Sequence, residues 1–247
     1  YTYSDTKIQN WEQAYLEYPY LFHAGFPNGI HRGYQAIGLF KDEEDIKQSP
    51  IQTFGLYMPG DIKYKDVNGD GKIDATDKVP LSRSTYPLLM YGFGGEVHYK
   101  KLTVGVLLKG TGRTDYYRVG QSVSHNGLTY NNGMGYVPFY GGVSGNVLAM
   151  ANDPKNRWIP MEYALAHGID PALAENPDAI FPRLQYGTNN NNAQKSDFWK
   201  GDARYLRLQE VTLNYNLNNP AIRKLGIASI DFQLIGTNLH VWSKEDI

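Results

Sequence analysis

The densest chemistry in the sequence lies in twelve consecutive residues, Asp66-Val67-Asn68-Gly69-Asp70-Gly71-Lys72-Ile73-Asp74-Ala75-Thr76-Asp77. Oxygen-bearing side chains fall at loop positions one, three and five (Asp66, Asn68, Asp70), with Gly71 at position six, where a calcium loop turns sharply. Lys72 at position seven would offer its backbone carbonyl, and Asp74 and Asp77 occupy positions nine and twelve. A hard cation takes six to eight oxygens, and the four carboxylates in this loop would repel one another without one. The reading is a structural calcium loop that staples a longer segment, with Ile73 tucked beneath it. Asp77 stands where Glu is usual, so the shorter arm must draw the backbone closer, as in dockerin-type loops. Gly60 to Lys65 reads extended and Pro80 blocks a helix after the loop, so no amphipathic helices flank it and a paired switch is not expected. The alternative is an Asp/Asn/Gly turn cluster without an ion.

Other constellations are weaker. The six histidines, at 23, 31, 98, 125, 167 and 240, lack metal-ligand spacing. Glu96 and His98 share one strand face and could meet, most simply as a polar pair. Ser144 in GGVSGN is not a nucleophile elbow. A carboxylate pair for glycoside hydrolysis could be drawn from Glu162, Asp170, Glu175 or Asp178, but nothing selects two of them. GFGG and GTG lack the strand–loop–helix context of a phosphate loop. The aromatics Tyr130, Tyr136, Phe139, Tyr140 and Trp158 could stack on sugars or pack a long loop, and packing is the commoner use. No catalytic residue is assigned and an enzyme is not expected.

Composition narrows the classes. The 247 residues carry 24 Lys+Arg against 25 Asp+Glu, a net charge of -1, which argues against a nucleic-acid partner. Cysteine is absent, which removes disulfide scaffolds and thiol chemistry. Gly (26) and Pro (13) are too frequent for a helical bundle, and the 20 Tyr suit strands and interfaces. Mean hydropathy is negative, and no apolar run approaches the ~20 residues of a spanning helix. A membrane β-barrel stays open, because its alternating strands look polar on average. With no start methionine or leader, both ends read as cuts, and the chain is expected to be a piece of a longer polypeptide.

The elements that position these residues are strands. Residues 86–100 alternate, with Leu89, Tyr91, Phe93, Val97 and Tyr99 on one face and Met90, Gly92, Gly94, Glu96, His98 and Lys100 on the other. Residues 102–117 run back through Val104, Val106 and Leu108. The alternation resumes at 204–217 (Val211, Leu213, Tyr215, Leu217) and at 228–242 (Ile230, Phe232, Leu234). Short helical pieces are expected at 41–48, 160–168 and 171–175, whereas 118–203 shows no sustained period and reads as a long loop. Short turns at one end and long loops at the other suit an outer-membrane barrel, but a soluble β-sandwich alternates equally well.

Several segments resemble, in order, the C-terminal half of SusC/RagA-type TonB-dependent transporters. They are GYQAIGLFKDEEDIKQSP, PGDIKYKDVNGDGKIDATDKVPL, YGFGGEVHYKKLTVGVLLKGTGRTDYY, YLRLQEVTLNYNL, KLGIASID and LIGTNLHVWSK. The resemblance runs from about Tyr1 to Trp242 and is weakest over 118–203. It implies an all-β fold: an antiparallel transmembrane segment of a 22-stranded barrel with long extracellular loops, in the bacterial outer membrane. It also implies import of oligosaccharides, glycans or peptides, a SusD-like surface lipoprotein as lid, and energy from the TonB complex through a plug domain that these residues lack.

On this reading residues 1–247 are the C-terminal portion of the barrel, with the calcium-like loop 66–77 and the loop 118–203 on the outside. About six spanning strands are expected, near 1–8, 26–38, 86–100, 101–116, 204–217 and 228–242. Six cannot close a wide barrel, and an open edge in lipid would leave backbone groups unsatisfied. The competing class is a soluble calcium-dependent carbohydrate-binding or adhesion module, which would stay monomeric without detergent.

Overall fold

Residues that alternate apolar and polar with period two build the longest strands of the computed structural model. It describes residues 1–13, 16–82, 86–117, 124–125, 128–129, 139–140, 146–147, 149–185 and 189–244. One antiparallel sheet holds β1 (Thr2–Tyr3), β2 (Leu89–Tyr99), β3 (Leu102–Gly112), β4 (Tyr205–Leu217) and β5 (Ile230–Ser243), paired in that order. The four long strands run 11, 11, 13 and 14 residues, well beyond the usual length. Eleven residues span about 37 Å, or about 26 Å at the tilt of a membrane barrel. The sheet is open.

The two short connections lie at one end of the sheet. Lys100, at φ 55, makes the tight turn from β2 to β3. Between β4 and β5, Asn219 caps the single helical turn Pro220–Arg223 by accepting from the Ile222 N–H at 3.1 Å. These connections are tied together, since Asn216 N–H donates to Lys101 O at 2.8 Å and Lys101 Nζ donates to Asn218 O. The long connections, 4–88 and 113–204, leave from the opposite end and supply the described residues of a packed cap.

The cap is held by small pairings rather than by a large sheet. Arg32–Gly33 pairs with Val79–Pro80, Ala36–Leu39 with Ile62–Tyr64, and Ile51–Gln52 runs parallel to Lys72–Ile73. Asp115–Tyr117 and Lys200–Asp202 prolong β3 and β4 into it. Tyr34, Leu39, Ile62, Tyr64, Ile73, Trp158, Phe181 and Trp199 form its core. Apolar burial is therefore concentrated in the cap, not beneath the long strands.

Three expectations are corrected by the fold. Residues 26–38 do not span with the sheet. Their strands belong to the cap, where Tyr34 is buried and its backbone bonds to residues 195 and 197. Of residues 1–8, only Thr2 and Tyr3 pair with the sheet. The segment 118–203 also contributes much more than loop, since Trp158, Ile159, Phe181 and Trp199 are cap core. The short helices do form, at Glu43–Lys47 and Met161–Ala166, with a 3-10 turn at Pro171–Leu173.

Candidate functional site

Cross-strand register sorts the long strands into two chemically different faces. Directly opposed residues share a face. One row aligns Tyr99, Leu102, Tyr215 and Phe232, and another aligns Val97, Val104, Leu213 and Leu234. Further along, Phe93 meets Leu108, which meets Leu208. A bulge at Gln209 shifts the register between Leu208 and Glu210 without breaking the apolar face, since Leu206 still aligns with Gly110 and Trp242. This face is uncovered: Phe93 keeps 57%, Val97 69%, Phe232 56% and Leu234 68% of their accessible surface. A contiguous apolar face of four strands left open to its surroundings marks an interface with lipid or protein.

The opposite face is mainly polar. It carries Glu96, His98, Thr103, Lys109, Arg207, Glu210, Thr212, Asn214, Gln233 and Asp231. Glu96 and His98 do meet, Oε1 to Nε2 at 3.3 Å, and His98 Nδ1 lies 2.8 Å from Thr103 Oγ1. Gly94 on this face is sterically required: a Cβ there would sit 2.5 Å from Val106 O. Apolar on one side and polar on the other is the pattern of a barrel wall between lipid and an aqueous lumen.

The twelve-residue loop sits in the cap. Asp66 accepts from Gly69 N–H at 2.6 Å and Gly71 N–H at 2.8 Å. Asn68 accepts from Asp70 N–H, Asp70 from Lys72 N–H, and Asp74 from both the N–H and the hydroxyl of Thr76. Those Thr76 bonds hold the Asp74 carboxyl below its usual range. Asp77 is fully buried and accepts from Val67 N–H at 2.8 Å and Asp74 N–H at 2.9 Å. Gly69 and Gly71 adopt φ of 77 and 82, the left-handed conformation that glycine takes without strain, and Ile73 is fully buried beneath the loop.

The donor set therefore fits a hard cation in type, and the backbone already makes its turns. Asn68 Nδ2 instead lies 3.1 Å from Asp70 Oδ2, and among the described residues no three carboxylate or imidazole groups converge on one point. An ion held here would draw on side-chain oxygens of Asp66, Asn68, Asp70, Asp74 and Asp77, with Lys72 adding only its carbonyl.

Sequence reasoning missed the polar centre of the cap. The Asn run at 189–192, taken as loop, contributes three buried side chains, Asn189, Asn191 and Asn192. Asn189 and Asn192 donate to Asp61 Oδ1 at 3.0 and 2.8 Å, and Asn191 donates to Ile62 O at 2.9 Å. Arg183 Nη2 donates to Asp61 Oδ2 at 3.0 Å, and its Nε lies 2.9 Å from Oδ1. Burial pushes the Asp61 carboxyl above its usual range, while Arg183 pulls it back. Four asparagines in four consecutive positions, 189–192, were the available signal.

Beside this centre lies a cleft of about 520 Å³ lined by residues of the 41–43, 58–59, 157–163 and 175–184 segments. Trp158 is buried in its wall, so it packs rather than presenting a platform. Ser144, Tyr130 and Tyr136 lie outside the described residues. Two of the carboxylates considered for hydrolysis serve local structure: Asp170 caps Ala172 N–H and Glu175 accepts from Met161 N–H.

No protein-family model matches the chain. Over 214 residues, 87% of its length, it is 28% identical to a TonB-dependent receptor of Formosa agariphila, covering 18% of that protein. Its fold is similar to part of the RagAB peptide importer in an open-open state, at a TM-score of 0.55 and 13% identity over 97% of this chain and 22% of that one. The closed-closed state of the same importer gives 0.50 and 14% over 91% of this chain. The chain thus spans about a fifth of the length of the proteins it matches. Its sequence is thus similar to that of a TonB-dependent receptor, a kind of protein that sits in the bacterial outer membrane.

Proposed function

We propose that these residues form part of the wall and outer mouth of an outer-membrane importer of nutrients, oligosaccharides or peptides, driven by the TonB complex. The observation that carries this reading is the uncovered apolar face of β2 to β5, of a height that matches a hydrocarbon core. The cap at one end only gives the wall a direction. Short connections face the periplasm, and the cap faces outward, where a SusD-like lipoprotein would meet it and where substrate would arrive.

In this role the chain's work is positioning, not bond-breaking. Its lipid-facing side chains hold the wall at membrane depth, and the polar face, with Glu96, His98, Lys109 and Arg207, lines the aqueous path. Calcium in the 66–77 loop would add a cross-link to a cap that is otherwise tied by buried amides and the Asp61–Arg183 pair. That ion is part of the proposal, and its effect would be on the rigidity of the mouth.

The test is deletion of the full-length gene, with growth scored separately on oligosaccharides and on peptides as sole source. Loss of growth on one class, restored by the intact gene and not by one carrying Phe93→Arg, supports import. Unchanged growth on both classes, or recovery of the protein from the soluble fraction, overturns it. The soluble adhesion-module reading is disfavoured by the same apolar face, which has no covering layer among the described residues.

A further inference from the structure

Cations gather where the apolar face meets the cap. Two adjoining hollows sit there, of about 470 and 670 Å³, sharing Leu89, Gly112 and Arg204 in their walls. The smaller lies on the apolar face. Tyr91, Gly110, Leu206 and Trp242 align across β2 to β5, and Leu89 and Gly112 form the next opposed pair towards the cap. Trp242 keeps 48% of its surface, and the Tyr91 hydroxyl donates to Tyr205 O at 3.3 Å. Such aromatics settle at a lipid–water boundary, ring in hydrocarbon and polar tip towards water.

The larger hollow is polar. Together the two are lined by four cations, Arg113, Lys200, Arg204 and Lys244, against two carboxylates, Asp115 and Asp202. Arg113 is drawn to the apolar side: its Nη1 donates to the Tyr3 hydroxyl at 2.7 Å, its guanidinium lies 5.3 Å from the ring centre, and Tyr3 stands opposite Leu89. Arg204 commits Nε and Nη2 to Asp202, and its Nη1 donates to nothing among the described residues. Lys244 is exposed and makes no hydrogen bond or ion pair there. Thr114 lines the polar hollow at 7% exposure, and its hydroxyl makes no hydrogen bond among the described residues.

An excess of positive charge with donors to spare, set directly above aromatics at the hydrocarbon boundary, calls for an anion carried on an apolar body. A water-soluble anion has no use for the apolar floor, and an uncharged lipid has none for the cations. A phosphate ester bearing acyl chains uses both. Guanidinium groups match phosphate oxygens in geometry and charge, and basic pockets beside membrane-spanning segments hold anionic headgroups.

We propose that this groove holds a phosphorylated lipid of the outer leaflet, with Arg113, Arg204, Lys244 and the Thr114 hydroxyl on its phosphate and its acyl chains along Leu89, Tyr91 and Trp242. The assignment rests on the import reading, which sets this face against lipid and the cap outward.

The test is native mass spectrometry of the full-length receptor in detergent with diphosphoryl lipid A, with net-neutral phosphatidylethanolamine, and with excess inorganic phosphate as competitor. Lipid A should bind at least about tenfold more tightly than phosphatidylethanolamine, and inorganic phosphate should not displace it. Arg113→Gln with Lys244→Gln should remove that preference. Arg223→Gln with Lys224→Gln, which takes the same charge from the exposed turn at the opposite end, should keep it. Lys244→Gln alone, at an exposed position, should weaken lipid A binding and carries the test if the double variant does not fold. The proposal is overturned by equal affinity for the two lipids, by a preference that survives the substitutions at 113 and 244, or by equal losses from the two double variants. Full displacement by inorganic phosphate overturns it too, since that marks a site for a water-soluble anion. A receptor that restores growth yet shows no preference for lipid A loses this site and keeps the import role. A protein absent from the outer membrane loses both.

Discussion

Val97 and Val104 stand directly opposite each other on β2 and β3, and Val97 keeps 69% of its surface uncovered. In a soluble sandwich an apolar pair like this one would lie under the second sheet. Here it shares a row with Leu213 and Leu234, and the packed core lies elsewhere, in the cap.

This relationship predicts an asymmetric response to charge. Phe93→Arg, midway along β2, should destabilise the membrane-embedded form of the full-length receptor by ~2–4 kcal/mol, and Val104→Lys, close to the β2–β3 turn, by less. Glu96→Lys, on the polar face, should have little effect. Gly94 is an unsuitable control because any Cβ there meets Val106 O. The measurement is heat- and urea-induced unfolding in lipid vesicles, and equal losses on both faces would contradict the lipid assignment.

The Asp61 centre predicts a cap that fails as a unit. Arg183→Leu leaves a buried carboxylate with only amide donors, a change of the kind that costs about 3–5 kcal/mol. Protease cutting within 31–82 and 149–203 should rise together while the long strands keep their protection. Cutting confined to 183–192 would show that the amide network does not tie the segments.

For the calcium loop, Asp70→Asn should weaken calcium binding and loosen residues 60–80 with the strands intact. Limited proteolysis of the receptor with calcium and with chelator reads this directly. Identical digestion patterns in the two conditions would remove the ion from the account.

Asp202 supplies a pH prediction outside the membrane. Hydrogen bonds from Arg204 lower its carboxyl from 3.8 to about 2. A carboxyl depressed in the folded state stabilises above its unfolded value and loses that contribution as pH falls through the folded one. The pair therefore supports the fold above about pH 4, and its support should vanish between there and about pH 2. Arg204→Ala should abolish this part of the acid dependence, seen as a smaller drop in melting temperature over that window. An unchanged drop would show that the pair is not linked to folding.

The long strands were legible in the sequence because period-two alternation over eleven or more residues has few other physical causes. Their register follows from the same alternation, since a one-residue slip would move every apolar side chain to the polar face. The cap was not legible. Its pairings are two to four residues long, and much of its order comes from side-chain amides reaching more than a hundred positions away, as Asn192 does to Ile62 and Asp61. Residues 26–38 looked like a spanning strand because extended backbone with apolar residues reads alike in a cap and a wall. The loop at 66–77 announced its turns but not whether its carboxylates converge. Asp66, Asn68, Asp70 and Asp74 satisfy neighbouring N–H groups, and local bonding of that kind leaves no trace in spacing alone.

The most direct test of the central claim is nitroxide scanning along β2 in the full-length receptor in lipid bilayers, aided by the lack of native cysteine in this chain. Labels at 93, 95, 97 and 99 should collide preferentially with oxygen dissolved in the hydrocarbon. Labels at 96 and 98 should collide with a water-soluble nickel chelate, giving an alternation of period two. A profile without alternation, or with the chelate reaching Val97 as readily as Glu96, would contradict the placement of this face against lipid.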